Sequence, residues 1–149
     1  MYLSEHFSLE EMTHSNTAVR LQLDNEPNDV QLSNLHRLCE GMEDVRTKLG
    51  SLPIVVSSGF RSMDVNRAVG SKDSSYHTYG LACDFICPRY GSIDDVFLDL
   101  AGSSIEFDKL ILEFNSWIHI QFAKGTDKPR RQTLIIDKEG VRPYASKER

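Results

Sequence analysis

Residues 74–85, "SSYHTYGLACDF", place His77 and Asp84 seven positions apart, with Gly80 and Ala82 between them. Alone the pair selects no chemistry, because a histidine near an aspartate also serves as an ordinary hydrogen-bonding pair. A second imidazole comes from "WIHIQF" (residues 117–122). In a strand, Ile118 and Ile120 take one face while Trp117, His119 and Gln121 take the other. The preceding run "KLILEF" (residues 109–114) and this one flank Asn115 and Ser116, which reads as a hairpin. With the turn centred near Ser116, Glu113 lies opposite His119 on the same face, where cross-strand neighbours are about 5 Å apart.

Two neutral imidazoles and one carboxylate make the ligand set of a catalytic zinc site with one position open. His77, Asp84 and His119 are the candidate ligands and Zn2+ the expected cofactor. Zinc brings the pKa of its water to about 7, and a nearby unligated carboxylate relays the proton. Glu113 is the candidate for that base, with a salt-bridge partner as its plain alternative. A developing oxyanion needs a donor worth about 3 to 4 kcal/mol, and Arg61 can supply it. Gly80 and Ala82 are small enough for the backbone between the ligands to turn and approach the metal. Trp117 suits core packing and a cleft wall equally. Cys83 faces away from Asp84 in a strand; His6, His14 and His36 fall on polar surface or helix and read as ordinary, and His6 beside Glu5 has no third group at ligand spacing.

The elements that must carry these residues are legible in part. Leu35, Leu38, Met42, Val45 and Leu49 recur at spacings of three and four, one face of a helix started by Asn28 or Asp29 and ended by Gly50. "PIVVSS" (53–58) reads as a strand that delivers Phe60 and Arg61 to a loop, followed by a short helix over 63–68. After a polar loop at 70–75, "LACDFI" reads as the strand carrying Asp84. "SIDDVFLDLAG" has a serine cap, early acids and a closing glycine, the pattern of a second helix. "QTLIID" and "VRPY" suggest a last strand pair turning at Glu139-Gly140. Helices mostly precede strands, so the expected fold is α+β, a single domain over 1–149 with an antiparallel β-sheet and helices mainly on one face.

The chain has 149 residues, 40% hydrophobic and 26% charged, the composition of an ordinary globular domain. Its net charge of −5 argues against a nucleic-acid partner. The basic residues Lys124, Lys128, Arg130 and Arg131, and those from Lys138 to Arg149, are interrupted by acids and read as a solvated face. Cys39, Cys83 and Cys87 have no CxxC spacing and read as buried thiols. The start, "MYLSEHFSLEEM", lacks the pattern of a signal peptide, and no stretch approaches the roughly 20 apolar residues of a membrane span. Cytoplasmic synthesis without stable membrane insertion is the expectation.

"SSGFRS" (57–62), "NRAVGS", "SYHTYGLACD" in the form S-x-H-x-x-G-x-A-x-D, and "WIHI" together resemble the zinc D-alanyl-D-alanine carboxypeptidase family. Its relatives include D-Ala-D-Ala dipeptidases, phage peptidoglycan-cleaving endolysins and the hedgehog signalling domain. "LSEHFSLEEM", "NTAV" and "DNEP" resemble the leader of the carboxypeptidase-like members, so the likeness runs from about Leu3 to Ala123 and leaves 124–149 as an extension. The resemblance implies that His77, Asp84 and His119 bind zinc and that Arg61 and Ser75 hold a substrate carbonyl or carboxylate. Several relatives carry the catalytic glutamate three residues before the last histidine. Here that position is Ser116, and Glu113 stands where the carboxypeptidase-like branch also has a glutamate. The implied substrate is a peptidoglycan stem peptide, the implied role that of a phage endolysin reaching the wall with a holin-type partner. The rivals are a non-catalytic zinc-stabilised binding domain or virion component, and a carboxypeptidase that trims wall precursors.

Overall fold

A computed structural model describes residues 1–144; Lys147 and Arg149, the last basic residues of the extension, lie outside the described residues. The long helix forms where the apolar spacing predicts it. Helix α3 (Asp29–Lys48) starts at Asn28, whose side chain accepts from Gln31 N–H while Gln31 returns a bond to Asn28 N–H. Gly50 follows with φ +83°, a left-handed turn that a side chain would strain. Two short helices precede it, α1 (Leu9–Thr13) and α2 (Asn16–Leu21). Each is too brief to show a period, and each is started by a serine, Ser8 in a capping box with Glu11 and Ser15 over Ala18 N–H.

Strand β1 (Val55–Ser58), helix α4 (Met63–Ala68), a 3₁₀ turn (Tyr76–Tyr79), strand β2 (Ala82–Ile86) and helix α5 (Ile93–Ala101) come next. Strands β3 (Lys109–Glu113), β4 (Trp117–Gln121), β5 (Gln132–Asp137) and β6 (Gly140–Pro143) complete one α+β domain. The six strands form one sheet in the order β1-β2-β4-β3-β5-β6.

The sheet is mixed, which corrects the all-antiparallel expectation: β5 runs parallel to β3, Ile111 opposite Leu134, while every other neighbouring pair is antiparallel. The physical reason is the path of the chain. Strand β4 ends beside the start of β3, so the connection 122–131 re-enters the sheet there, where Arg131 N–H donates to Phe107 O and Gln132 N–H to Asp108 O. A strand laid from that end along β3 must point the same way as β3.

Alternation divides the sheet into two faces. Cys83, Phe85, Leu110, Leu112, Ile118 and Ile120 turn to one side and form the core with Leu35, Leu38, Met42 and Val45 of α3 and Val96, Phe97 and Leu100 of α5. All three cysteines are buried free thiols. Burial pushes the Cys39 thiol up to about 12 and Cys83 above its ordinary value, so neither is a ready thiolate ligand. Asp84, His119 and Gln121, buried polar residues on adjacent strands, take the opposite face. Among the described residues no helix is long and apolar enough to cross a membrane.

The basic residues 124–131 are more than a solvated face. Lys124 Nζ lies 4.2 Å from the centre of the Tyr79 ring, Arg131 stacks on Phe107, and Arg130 pairs with Asp108.

Candidate metal centre

Asp84 and His119 are direct partners in the β2–β4 ladder, so register alone brings the second imidazole to the carboxylate. His119 Nδ1 is 3.0 Å from Asp84 Oδ1. His77 comes from the 3₁₀ turn, and its Nε2 lies 3.3 Å from the same oxygen. The three potential ligand atoms fall within 4.8 Å of one another, on side chains that are all buried.

The donor set fits a cation. His77 Nδ1 is 2.7 Å from the Gly59 carbonyl, which only accepts, so Nδ1 carries the proton and the Nε2 lone pair faces Asp84. His119 Nε2 is 2.9 Å from Gln121 Oε1, which directs the Nδ1 lone pair inward in the same way. Both outward nitrogens are tied down, as in imidazoles that ligate metals. Two inward lone pairs around a carboxylate oxygen repel unless a positive charge lies between them.

The charges of the three groups depend on one another. Burial alone would raise Asp84, but the His77 and His119 imidazoles outweigh it and hold its carboxyl well below the usual range. Burial lowers His77 despite Asp84. For His119, burial opposes the charge and the bond to Asp84 overcomes it, so the ring is raised.

Each ligand is positioned by a different part of the chain. Met12 O accepts from Phe60 N–H at 2.7 Å, and a Cβ at Gly59 would collide with that same Met12 carbonyl. The leader thus presses on the residue whose carbonyl orients His77. Asn25 bonds the carbonyls of Thr13 and Phe60 and accepts from Ser62 N–H, clamping the loop that bears Arg61. Helix α3 holds the 3₁₀ turn through Gln31 to Thr78 O and Asn34 to Tyr79 O. Gly80 corrects one expectation. It does adopt a left-handed φ of +77°, yet its close approach is to α3, where an added Cβ would stand 2.7 Å from Gln31 O, and not to the metal site.

An open cleft of about 320 Å³ is lined by Arg61, Ser75, His77, Asp84, Glu113, Trp117 and His119, among others, so it gathers all seven residues singled out from the sequence. Glu113 is on the expected face but not opposite His119. The hairpin is centred on Asn115, with Phe114 and Asn115 both left-handed, so Glu113 pairs with Trp117 and Ile111 with His119. Glu113 therefore reaches diagonally, its Oε2 4.0 Å from His119 Nδ1. Burial and then the Asp84 charge raise its carboxyl above the ordinary value. Ser116 is exposed in the turn, its hydroxyl donating to Phe114 O.

Arg61 has Nε on Ser58 and Nη1 on Asn66 and Ser71, while Nη2 lies 3.7 Å from Asp84 Oδ2. Ser75 accepts from His77 N–H and so starts the 3₁₀ turn. Trp117 forms a wall of the cleft, and its Nε1 is buried without a hydrogen-bond partner. His6, His14 and His36 lie apart, against Glu43, Asn16 and the Leu3 carbonyl. Sequence reading missed Asn25 and Gly59, whose partners are distant in the chain, and Asn66, which ties Arg61 to the Lys72 carbonyl within one loop; it put Gln121 on the His119 face without assigning it work.

An α+β domain with two imidazoles and an aspartate converging beneath an open cleft has the architecture of a metal-dependent hydrolase. A family model described as Peptidase M15 matches residues 5–121, and the chain belongs to that family. Membership assigns it to the metallopeptidases, and among the described residues the His77-Asp84-His119 group is the one suited to hold a metal. No curated protein matches the chain.

Proposed function

We propose that the chain is a zinc peptidase that hydrolyses peptide bonds in peptidoglycan stem peptides, with the D-alanyl-D-alanine carboxypeptidase-like chemistry of a phage endolysin. The observation that carries this reading is the pair of imidazoles whose outward nitrogens are both bonded away, leaving two lone pairs and the Asp84 carboxylate aimed at one point. The likeness of the leader and of the S-x-H-x-x-G-x-A-x-D segment to carboxypeptidase-like phage members supports the choice of substrate.

His77, Asp84 and His119 hold the zinc in this reading. A zinc ion there supplies Lewis acidity and brings water ionisation close to neutral pH. Glu113, whose raised carboxyl suits a base working near neutrality, takes the proton of the attacking water and returns it to the leaving amine. Arg61 offers Nη2 to the carbonyl oxygen as charge develops there; its other nitrogens are immobilised by Ser58, Asn66 and Ser71, so little reorganisation is needed. Trp117 flanks the peptide as an apolar wall of the cleft, and Ser75 contributes its hydroxyl at the rim. Entry to the wall through a holin-type partner belongs to the same reading.

The test is to incubate zinc-loaded protein with purified peptidoglycan and with a defined stem pentapeptide. New amino termini that vanish with chelator support the peptidase, and the products separate release of a terminal D-alanine from internal cleavage. Zinc uptake with no cleavage of either substrate would leave a zinc-stabilised binding domain instead.

A further inference from the structure

His119 is not oriented by Gln121 alone. The Gln121 side-chain amide, on a residue that is 5% exposed, donates Nε2–H to Asp108 Oδ2 at 3.0 Å. Asp108, itself 3% exposed, receives Arg130 Nε at 3.0 Å, Arg130 Nη2 at 2.7 Å and the Arg130 backbone N–H at 3.3 Å. Arg130 is held in place by its neighbour, since Arg131 lies over the Phe107 ring and donates to the carbonyls of Ser103 and Ile105.

Each link has only one workable polarity. A carboxylate paired with a guanidinium stays ionised and only accepts, so the amide must turn its NH₂ to Asp108. That leaves Oε1 for His119, and an amide oxygen only accepts, so His119 Nε2 must carry a proton. The remaining nitrogen, Nδ1, then faces Asp84 and is the one whose lone pair a metal can take when the ring is neutral. Reversing the amide would set its buried carbonyl against the buried Asp108 carboxylate, which already receives Arg130, and leave that carbonyl without a donor.

We propose that Gln121, Asp108 and Arg130 are positioning residues that present the Nδ1 lone pair of His119 to the metal, so that a segment beyond the matched family region tunes the affinity of the centre. The inference rests on the reading of His119 as a ligand. Arg130 lies after residue 121, where the family match ends, and enters the site only because β5 returns alongside β3. Gln121, Asp108 and Arg130 touch neither substrate nor metal; they act through the ring.

The experiment uses the full chain stripped of metal. Zinc and cobalt affinities are measured by chelator competition, the ring N–H signals of His119 by nitrogen-resolved NMR on metal-free protein, and stability by unfolding in chelator. In wild type, His119 Nε2 should carry a slowly exchanging proton. Gln121→Leu and Asp108→Asn should weaken both metals about 10- to 100-fold and shift the visible cobalt band, as loss of a ligand's outer partner does. Arg130→Lys, which keeps the charge but not the fork, should fall between wild type and Arg130→Ala. A merely structural tie would lower stability in chelator and leave affinity and cobalt spectrum unchanged, which would overturn the proposal, as would a wild-type Nε2 without a proton. Should Asp108→Asn not fold, Arg130→Ala carries the test, because that side chain is 55% exposed. If wild type takes up no metal, or His119→Ala binds it equally well, the ligand reading itself fails. The ring signal then judges the relay alone: an Nε2 proton lost from protection in Arg130→Ala supports it, and one unaffected overturns it.

Discussion

Asp84 and His119 face each other across the β2–β4 ladder with Oδ1 3.0 Å from Nδ1, and His77 meets the same oxygen from outside the sheet at 3.3 Å. The carboxylate is thus the shared point of two imidazoles carried by separate elements. Metal should stabilise the fold by tying these elements together. At a free zinc concentration a hundredfold above Kd the gain is about 2.7 kcal/mol, or roughly 5 to 10 °C in Tm for a domain of this size. His77→Ala and His119→Ala should each abolish the zinc-dependent rise in a thermal scan. A rise of the same size in either variant would exclude that residue as a ligand.

Glu113 stands at a diagonal from His119 and takes no place among the three converging atoms. Glu113→Gln preserves the shape and removes the base. Zinc content should therefore match wild type while kcat on a stem peptide falls by about 10²- to 10⁴-fold. Loss of zinc together with activity would instead make Glu113 a ligand.

Gly59 has no room for a side chain, because the Met12 carbonyl occupies the space a Cβ would need. Gly59→Ala must push the leader outward or shift the carbonyl that accepts from His77. The expected loss is about 1 to 3 kcal/mol, the usual cost of overpacking, read from the denaturant midpoint. An unshifted midpoint would mean that the leader does not bear on this strand end.

Asp108 predicts a specific acid limb. Arg130 holds its carboxyl down to about 2, below the roughly 3.9 of an unfolded chain, against the opposing effect of burial. A depressed carboxyl stabilises the fold fully above the unfolded value, and this contribution is lost as pH falls from about 4 through about 2. Because the Arg130 side chain is half exposed, solvent screening limits the contribution to about 1 to 2 kcal/mol at neutral pH. Chemical denaturation of wild type and Arg130→Ala should differ by that amount at pH 7 and converge towards pH 2. Curves that stay equally separated down to pH 2 would assign the difference to packing.

The seven chemistry-bearing residues were legible in the sequence because strand alternation and local motifs are short-range. Trp117, His119 and Gln121 share a face by the geometry of any strand, and the helix over Leu35 to Leu49 follows from its period. The hairpin was harder. One residue of difference in its centre moves Glu113 from opposite His119 to opposite Trp117, and that difference depends on Phe114 and Asn115 both accepting left-handed conformations. The parallel pairing of β3 with β5 was invisible for a related reason: strand direction is decided by where the connection 122–131 lands, and its landing depends on backbone bonds to Phe107 and Asp108.

By itself the sequence determined which residue types could ligate a cation, which faces they occupy and which family they resemble, since these depend on side-chain chemistry and on periods of two and 3.6 residues. Only the tertiary structure decided that His77 and His119 meet at one oxygen of Asp84, that Gly59 and Gln121 bond the outward nitrogens of the two rings, and that Arg130 meets the Asp108 carboxylate behind Gln121. Most of those relations join separate elements, up to 35 residues apart for Asp84 and His119, and their geometry is set by the packing of the sheet rather than by any local stretch.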